Sequence, residues 1–172
     1  MPFTPFHFGI GYAAAAVEKQ PRFFVFYVFV ISQVLIDVET LVNIINKAPR
    51  LHTFFHTFIG SLVAALASVA LGALLFPVGA WFVKLLPNSW AEFIWSRRLF
   101  PRTRPSWICL AVSSLVGAWS HVLFDAFDHS DVTPFWPMTN TNPFQGLVEG
   151  GDIYLVCVIL FFVGYVGIRR RV

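Results

Sequence analysis

The stretch "WICLAVSSLVGAWSHVLFDAF", Trp107–Phe127, is followed by "DHSD", Asp128–Asp131. The beginning of this run is apolar enough for lipid, and residues 120–131, its end together with "DHSD", hold two histidines and three aspartates. Ionisable groups are costly in hydrocarbon and mark functional positions when they persist there. A membrane helix that ends in a polar cluster is therefore expected. His121, Asp125 and His129 are four apart, and four residues advance an α-helix by about 400°. On a continuous helix they form one row that drifts slowly round the axis, while Asp128 and Asp131 fall off it as supporting or solvent-facing groups.

The rest of the chain has the same character. It has 172 residues, a length suited to one domain, and is 57% hydrophobic, 12% charged, with a mean hydropathy of +0.70. A soluble domain carries roughly 25% charged residues. Three further apolar segments accompany Trp107–Phe127: Phe23–Ile36, continuing as helix through Ile45, then Phe54–Phe76 and Ile153–Ile168. A spanning helix needs about 20 apolar residues. The two longest runs meet that length, and the others do so with their polar flanks. A fifth element, Pro5–Val17, is apolar but short. The predicted fold is all-α: a polytopic membrane helix bundle of about four transmembrane helices plus a short N-terminal helix, residues 1–172 forming one domain.

The connections differ in kind. Pro49 breaks "INKAPRLH" between two helices. Residues 76–105 mix tryptophan with arginine, as an interfacial segment does. Residues 129–152 are rich in Pro, Asn, Thr and Gly and read as a loop. Its Phe135, Trp136 and Phe144 suit an aromatic lid at headgroup depth. The N-terminus has small residues that imitate a cleavage site, but no Lys or Arg precedes Lys19, so a retained segment is expected. Cys109 and Cys157 lie in apolar runs and form neither a metal-binding spacing nor a disulfide framework.

Alternating crossings place Lys19, Arg22, Lys84, Arg97, Arg98, Arg102, Arg104 and Arg169–Arg171 on one side, ten of the 12 basic residues. Lys47 and Arg50 fall on the other. The positive-inside rule makes the first side cytoplasmic. The terminal "RRR" is then a topology anchor, and the scattered basic residues offer no nucleic-acid patch.

The same threading gathers all five histidines, and seven of the nine acidic residues, on the non-cytoplasmic face. His7, Asp37, Glu39, His52, His56, His121, Asp125, Asp128 and His129 all arrive there. "HTFFH" repeats the four-residue interval at His52 and His56, and two imidazoles on adjacent turns can share a cation. Neutral imidazole and carboxylate are the usual ligands of zinc and other divalent transition metals. The metal ligands expected are His7, Asp37, His52, His56, His121, Asp125 and His129. A solvated acidic rim is the plain alternative. No Ser–His–Asp set, Cys nucleophile or phosphate loop competes.

The segments "MPFTPFHFGIG", "LIDVE", "HTFFHTFIG" and "SHVLFDAFDHSDVTPFWP" resemble the bacterial membrane-bound metal-dependent hydrolases, the LexA-regulated inner-membrane type. That group is distantly similar to the all-α zinc phospholipase C and P1 nuclease proteins, which hydrolyse phosphoesters with a His and Asp cluster around several zinc ions. The resemblance implies ligand roles for His7, Asp37, His52 or His56, His121 and Asp125, with His129 as a further ligand. It departs from the zinc phospholipases in having no histidine after His129, where they carry a late His/Glu pair; Glu149 and Asp152 are the acids in that region.

The expected function is a membrane-embedded hydrolase, in the bacterial inner membrane, using one to three divalent ions, zinc first among them. Its substrate would be a phosphoester in a lipid or lipid-linked molecule, cleaved by metal-activated water. For proton transfer, either Asp125 bridges metals or an unligated acid, Glu39 or Asp128, serves. The alternatives are a non-catalytic structural metal protein and, more remotely, a transporter, which would want polar residues along a mid-membrane path.

Overall fold

The computed structural model describes residues 4–17, 24–96 and 99–169. The described residues are all-helical: α1 (Thr4–Val17), α2 (Phe26–Ile45), α3 (Phe58–Leu85), α4 (Asn88–Ser96), α5 (Trp107–Asp128) and α6 (Gly150–Arg169). Four helices are long and apolar enough to cross a membrane: α2, α3, α5 and residues Gly151–Ile168 of α6. α1 is a short apolar helix beside them.

The boundaries have local causes. Thr57 caps α3, its hydroxyl accepting the Gly60 N–H at 2.8 Å. Ser106 caps α5 in the same way, through the Cys109 N–H at 3.2 Å. Each hydroxyl satisfies an N–H that the first helical turn leaves open. α3 runs through Pro77 to Leu85, past the Phe76 end expected from sequence. Proline removes one backbone donor, a loss that transmembrane helices tolerate. The 76–105 connection therefore starts later than expected, and α4 occupies its middle with Trp90 and Phe93 exposed.

α2, α3 and α5 pack along a seam of small residues. Lipid and apolar side chains attract each other equally, so helices in a membrane associate through close packing and hydrogen bonds. Ala64, Ala65, Ser68, Ser113, Ser114, Gly117 and Ala118 are all buried here. The Ser114 hydroxyl donates to the Ala65 carbonyl at 2.6 Å, and the Ser113 hydroxyl accepts the Val25 N–H at 2.7 Å. A Cβ on Gly117 would meet the Ser32 hydroxyl and lie 2.8 Å from the Phe29 carbonyl oxygen. The hydrogen at this position is what lets α2 and α5 approach.

α1 packs most extensively on α6 and also touches α2 and α5. Gly9 sits against the Cys157 carbonyl and Gly164 against Tyr12. The outward faces are apolar, as with Leu66 at 71% exposure and Ile108 at 67%. Exposed apolar area on this scale suits hydrocarbon rather than water.

The up-and-down order brings five chain segments to one end of the bundle: the start of α1, the end of α2, the loop 46–57, the end of α5 and the loop 129–149. Lys84, Arg102 and Arg104 belong to the opposite end. Lys19, Arg22, Arg97, Arg98, Arg170, Arg171 and Glu18 lie outside the described residues, as does the side chain of Arg169.

Candidate metal centre

Helix α2 presents Gln33 and Asp37 one turn apart, and α5 presents His121 and Asp125 one turn apart. Both pairs face the interface between the helices. Gln33 is fully buried, and its Oε1 accepts a hydrogen bond from His121 Nδ1 at 2.7 Å. An amide oxygen can only accept, so this bond places the proton of neutral His121 on Nδ1. Nε2 is left as the free nitrogen. It points between two carboxylates, 3.2 Å from Asp37 Oδ1 and 3.1 Å from Asp125 Oδ2.

His56 is oriented by the same logic from a different direction. It lies in the loop before α3, where Glu39 Oε2 accepts the Phe55 N–H at 2.9 Å and the Thr53 N–H at 3.3 Å. The same oxygen stands 3.3 Å from His56 Nδ1. His56 Nε2 is thereby turned inward, 3.4 Å from Asp125 Oδ2 and 3.9 Å from Asp37 Oδ1. One ligand atom from each of Asp37, His56, His121 and Asp125 lies within 4.8 Å of all the others.

His7 adds a third imidazole. Its Nε2 is 3.4 Å from Asp125 Oδ1, and its ring stacks on His121 with centroids 4.5 Å apart. Both nitrogens of His7, and Nε2 of His56 and of His121, are buried and make no hydrogen bond among the described residues. A buried polar atom left unpaired costs about 1–3 kcal/mol. A cation shared with the neighbouring carboxylates would offset that cost. The donor set, imidazole nitrogen and carboxylate oxygen, suits zinc and its divalent neighbours. The rings are held from behind by Gln33 and Glu39, the arrangement that fixes metal-binding imidazoles.

Electrostatics points the same way. Burial works against a charged His56, yet Asp125, Asp37 and Glu39 outweigh it and raise the pKa well above the ordinary histidine value. The same carboxylates favour a positive charge at this centre.

A second constellation adjoins the first. His52, His129 and Asp131 bring ligand atoms within 4.8 Å of one another. Asp131 Oδ1 is 2.8 Å from His52 Nδ1, and Oδ2 accepts the Leu51 and His52 N–H groups at 3.0 and 3.1 Å. Burial opposes the Asp131 charge, but the His52 amide and ring and the Leu51 amide prevail and bring its pKa down to about 2. Burial and the nearby His56 lower the pKa of His52, against the pull of Asp131. The His52 ring stacks on His129 at 4.3 Å and meets His56 edge-on at 4.6 Å.

Two expectations of local geometry change. His52 and His56 are not on adjacent helical turns, because the chain from 46 to 57 is non-helical and α3 starts only at Phe58. They meet because the loop folds back, and they belong to different constellations. His129 is not the third member of a helical row either. It is the C-cap of α5, with φ −110° and ψ 123°, and the change of backbone direction turns its ring toward His52. His121 and Asp125 do share a face. Asp128 lies beside His129, 3.7 Å from its Nε2, and in neither ligand set. Glu39 bonds to the back of His56 and is likewise outside both sets.

One contributor is new: Gln33 stands in an apolar run, and its being polar there was the available signal. Asp131, expected off the helical row as a supporting or solvent-facing group, supports His52, on a loop about 80 residues away.

The chain matches, over residues 1–168, the family described as Domain of unknown function (DUF4184). It belongs to that family. Neither a curated protein nor a solved structure matches it. The span matched to DUF4184 includes every residue of both constellations, along with Gln33 and Glu39.

Proposed function

We propose that this protein is a membrane-embedded metal-dependent hydrolase that cleaves a phosphoester in a lipid or lipid-linked substrate. The observation that carries the proposal is the convergence of His56 Nε2 and His121 Nε2, both buried and unpaired, on the carboxylates of Asp37 and Asp125. The resemblance of its motifs to the bacterial inner-membrane hydrolases supports the reaction class. The positive-inside rule, applied to the sequence, puts the site on the non-cytoplasmic face.

Asp37, His56, His121 and Asp125 would hold a divalent ion, zinc by preference, with His7 beside them. His52 and His129, backed by Asp131, would hold a second. When bound, such an ion supplies Lewis acidity: it polarises a phosphoryl oxygen and lets a water ionise near neutral pH. Gln33 and Glu39 position the imidazoles. Glu39 is committed to His56 and two backbone amides; Asp128, beside His129 and in neither ligand set, is the acid proposed for proton transfer. The Asp37 side chain, 24% exposed against 4% or less for His56, His121 and Asp125, is the side from which substrate reaches the site.

That burial also favours a second reading, a structural metal site that ties α2, α5 and the 46–57 loop together, since structural sites are closed.

Purified wild-type protein should contain near-stoichiometric zinc, iron or manganese. The His121→Ala and Asp125→Ala variants should lose it. Turnover of bis(p-nitrophenyl) phosphate or short-chain phospholipid, abolished by EDTA and restored by metal, distinguishes enzyme from structural site. Metal without turnover supports the structural reading, and wild-type protein that is fully folded and metal-free rejects both. A cytoplasmic signal from a reporter fused in the 129–152 loop overturns the orientation.

A further inference from the structure

Beside the metal centre lies a cavity of about 220 Å³ lined by Arg50, Thr53, Phe54, Thr57, Thr133 and Trp136. One wall is the loop that carries His52 and His56, and the other follows directly from Asp131. Two connections fix the walls to each other. The Phe58 N–H donates to the Pro134 carbonyl at 2.8 Å, and Asp131 Oδ2 takes the Leu51 and His52 amides. The cavity is thus a built feature of the same two loops that position the outer histidines.

Its charge is unusual for its place. Between Phe23 and Val83 the sequence has no Lys or Arg besides Lys47 and Arg50, and between Pro105 and Ile168 it has none. The site end of the bundle is otherwise rich in carboxylates. Arg50 is exposed and donates from Nη2 to the Asp131 backbone carbonyl at 2.8 Å. A carbonyl orients the guanidinium without neutralising it. Among the described residues no carboxylate pairs with Arg50; the nearby Asp131 carboxylate is engaged by His52 and Leu51. Guanidinium offers a planar fork suited to phosphate oxygens. The Thr57 hydroxyl is spent on the Phe54 carbonyl and the Gly60 N–H, so Thr133 is the threonine left to add a neutral donor; Phe54 and Trp136, edge-on at 6.2 Å and both 41% exposed, add an apolar rim. Tryptophan at such a rim suits the headgroup layer of a bilayer.

We infer that the Arg50 cavity binds the phosphate of an anionic lipid headgroup, as a subsite that holds substrate next to the metal centre. Its part in substrate recognition rests on the hydrolase reading; its anion binding does not. The volume accommodates a phosphate with a small substituent. Arg50 supplies the charge, Thr133 a neutral hydroxyl, and Trp136 and Phe54 cover the glycerol end.

The test is calorimetric titration of detergent-solubilised, EDTA-stripped protein with dihexanoyl phosphatidic acid, and separately with inorganic phosphate. Removing the metal keeps the neighbouring centre from contributing. Arg50→Gln should weaken phosphatidate binding about tenfold or more, and Arg50→Lys by less, because charge survives while the fork is lost. Trp136→Ala should weaken the lipid and leave inorganic phosphate unchanged. Inorganic phosphate bound as tightly as the lipid, with no Trp136 dependence, overturns the lipid assignment. Equal phosphatidate binding by wild type and Arg50→Gln overturns the subsite altogether. Reconstituted variants that take up as much zinc as wild type show that the fold is intact. Arg50-dependent binding in a protein without turnover rejects only the hydrolase reading; turnover with Arg50-independent binding rejects only the subsite.

Discussion

Gln33 on α2 and His121 on α5 are joined by a 2.7 Å hydrogen bond between two fully enclosed side chains. The bond sets the tautomer of His121 and aims Nε2 at Asp37 and Asp125. It makes Gln33 a positioning residue that touches no metal ligand atom other than through the ring.

Gln33→Leu keeps the volume and removes the acceptor. Zinc affinity is expected to fall about 10–100-fold, the usual effect of losing a group that holds a metal-binding imidazole. Chelator-competition titration measures it. Gln33→Glu, which keeps an acceptor oxygen, should restore most of the affinity. Equal affinity in wild type and Gln33→Leu contradicts this role.

His56 makes the metal-free protein sensitive to pH in a defined direction. Its folded pKa lies well above its unfolded value, because the carboxylates of Asp125, Asp37 and Glu39 overcome the burial that opposes its charge. The stabilisation is therefore complete below the unfolded pKa, roughly 6.5, and is lost as pH rises through the raised folded value. Thermal melts of stripped protein should show stability declining across that alkaline range, with His56→Gln flattening the profile. An imidazole ligates zinc only when neutral, so loading should release protons into weak buffer and weaken as pH falls.

Asp131 acts at the acid end. Its folded pKa of about 2 lies below the ordinary carboxylate value near 3.9. Its contribution is present above the unfolded pKa and is lost as pH falls from about 4 through about 2. Partial exposure screens the charge and keeps the gain small. The sharper readout is local: in Asp131→Ala the Leu51 and His52 amides lose their acceptor, and their hydrogen exchange should accelerate about tenfold or more. Unchanged protection of both amides rules out the anchoring role.

Gly117→Val tests the helix seam. The added carbons meet Ser32 and the α2 backbone, so the helices must separate. Overpacking of this kind costs about 1–3 kcal/mol. Denaturation in mixed micelles should show it, with zinc affinity falling too, because α2 carries Gln33 and Asp37 while α5 carries His121 and Asp125. A Gly117→Val protein as stable as wild type would mean that α2 and α5 do not approach as closely as the structure has them.

Four spans and a polar end were legible in the sequence because both are properties of the chain taken one segment at a time. Apolar length sets a span, and alternation decides which segment ends share a face. The pair His121 and Asp125 could be read from helical spacing alone. The tertiary structure alone decided how the histidines divide, His56 to the inner group and His52 with His129 to the outer. It also decided which nitrogen each inner ring turns to the centre. Those choices depend on contacts between distant segments, such as Gln33 with His121 and Asp131 with His52, 88 and 79 positions apart in the chain. An imidazole has two nitrogens that sequence cannot tell apart; only the partner on one of them determines the task of the other.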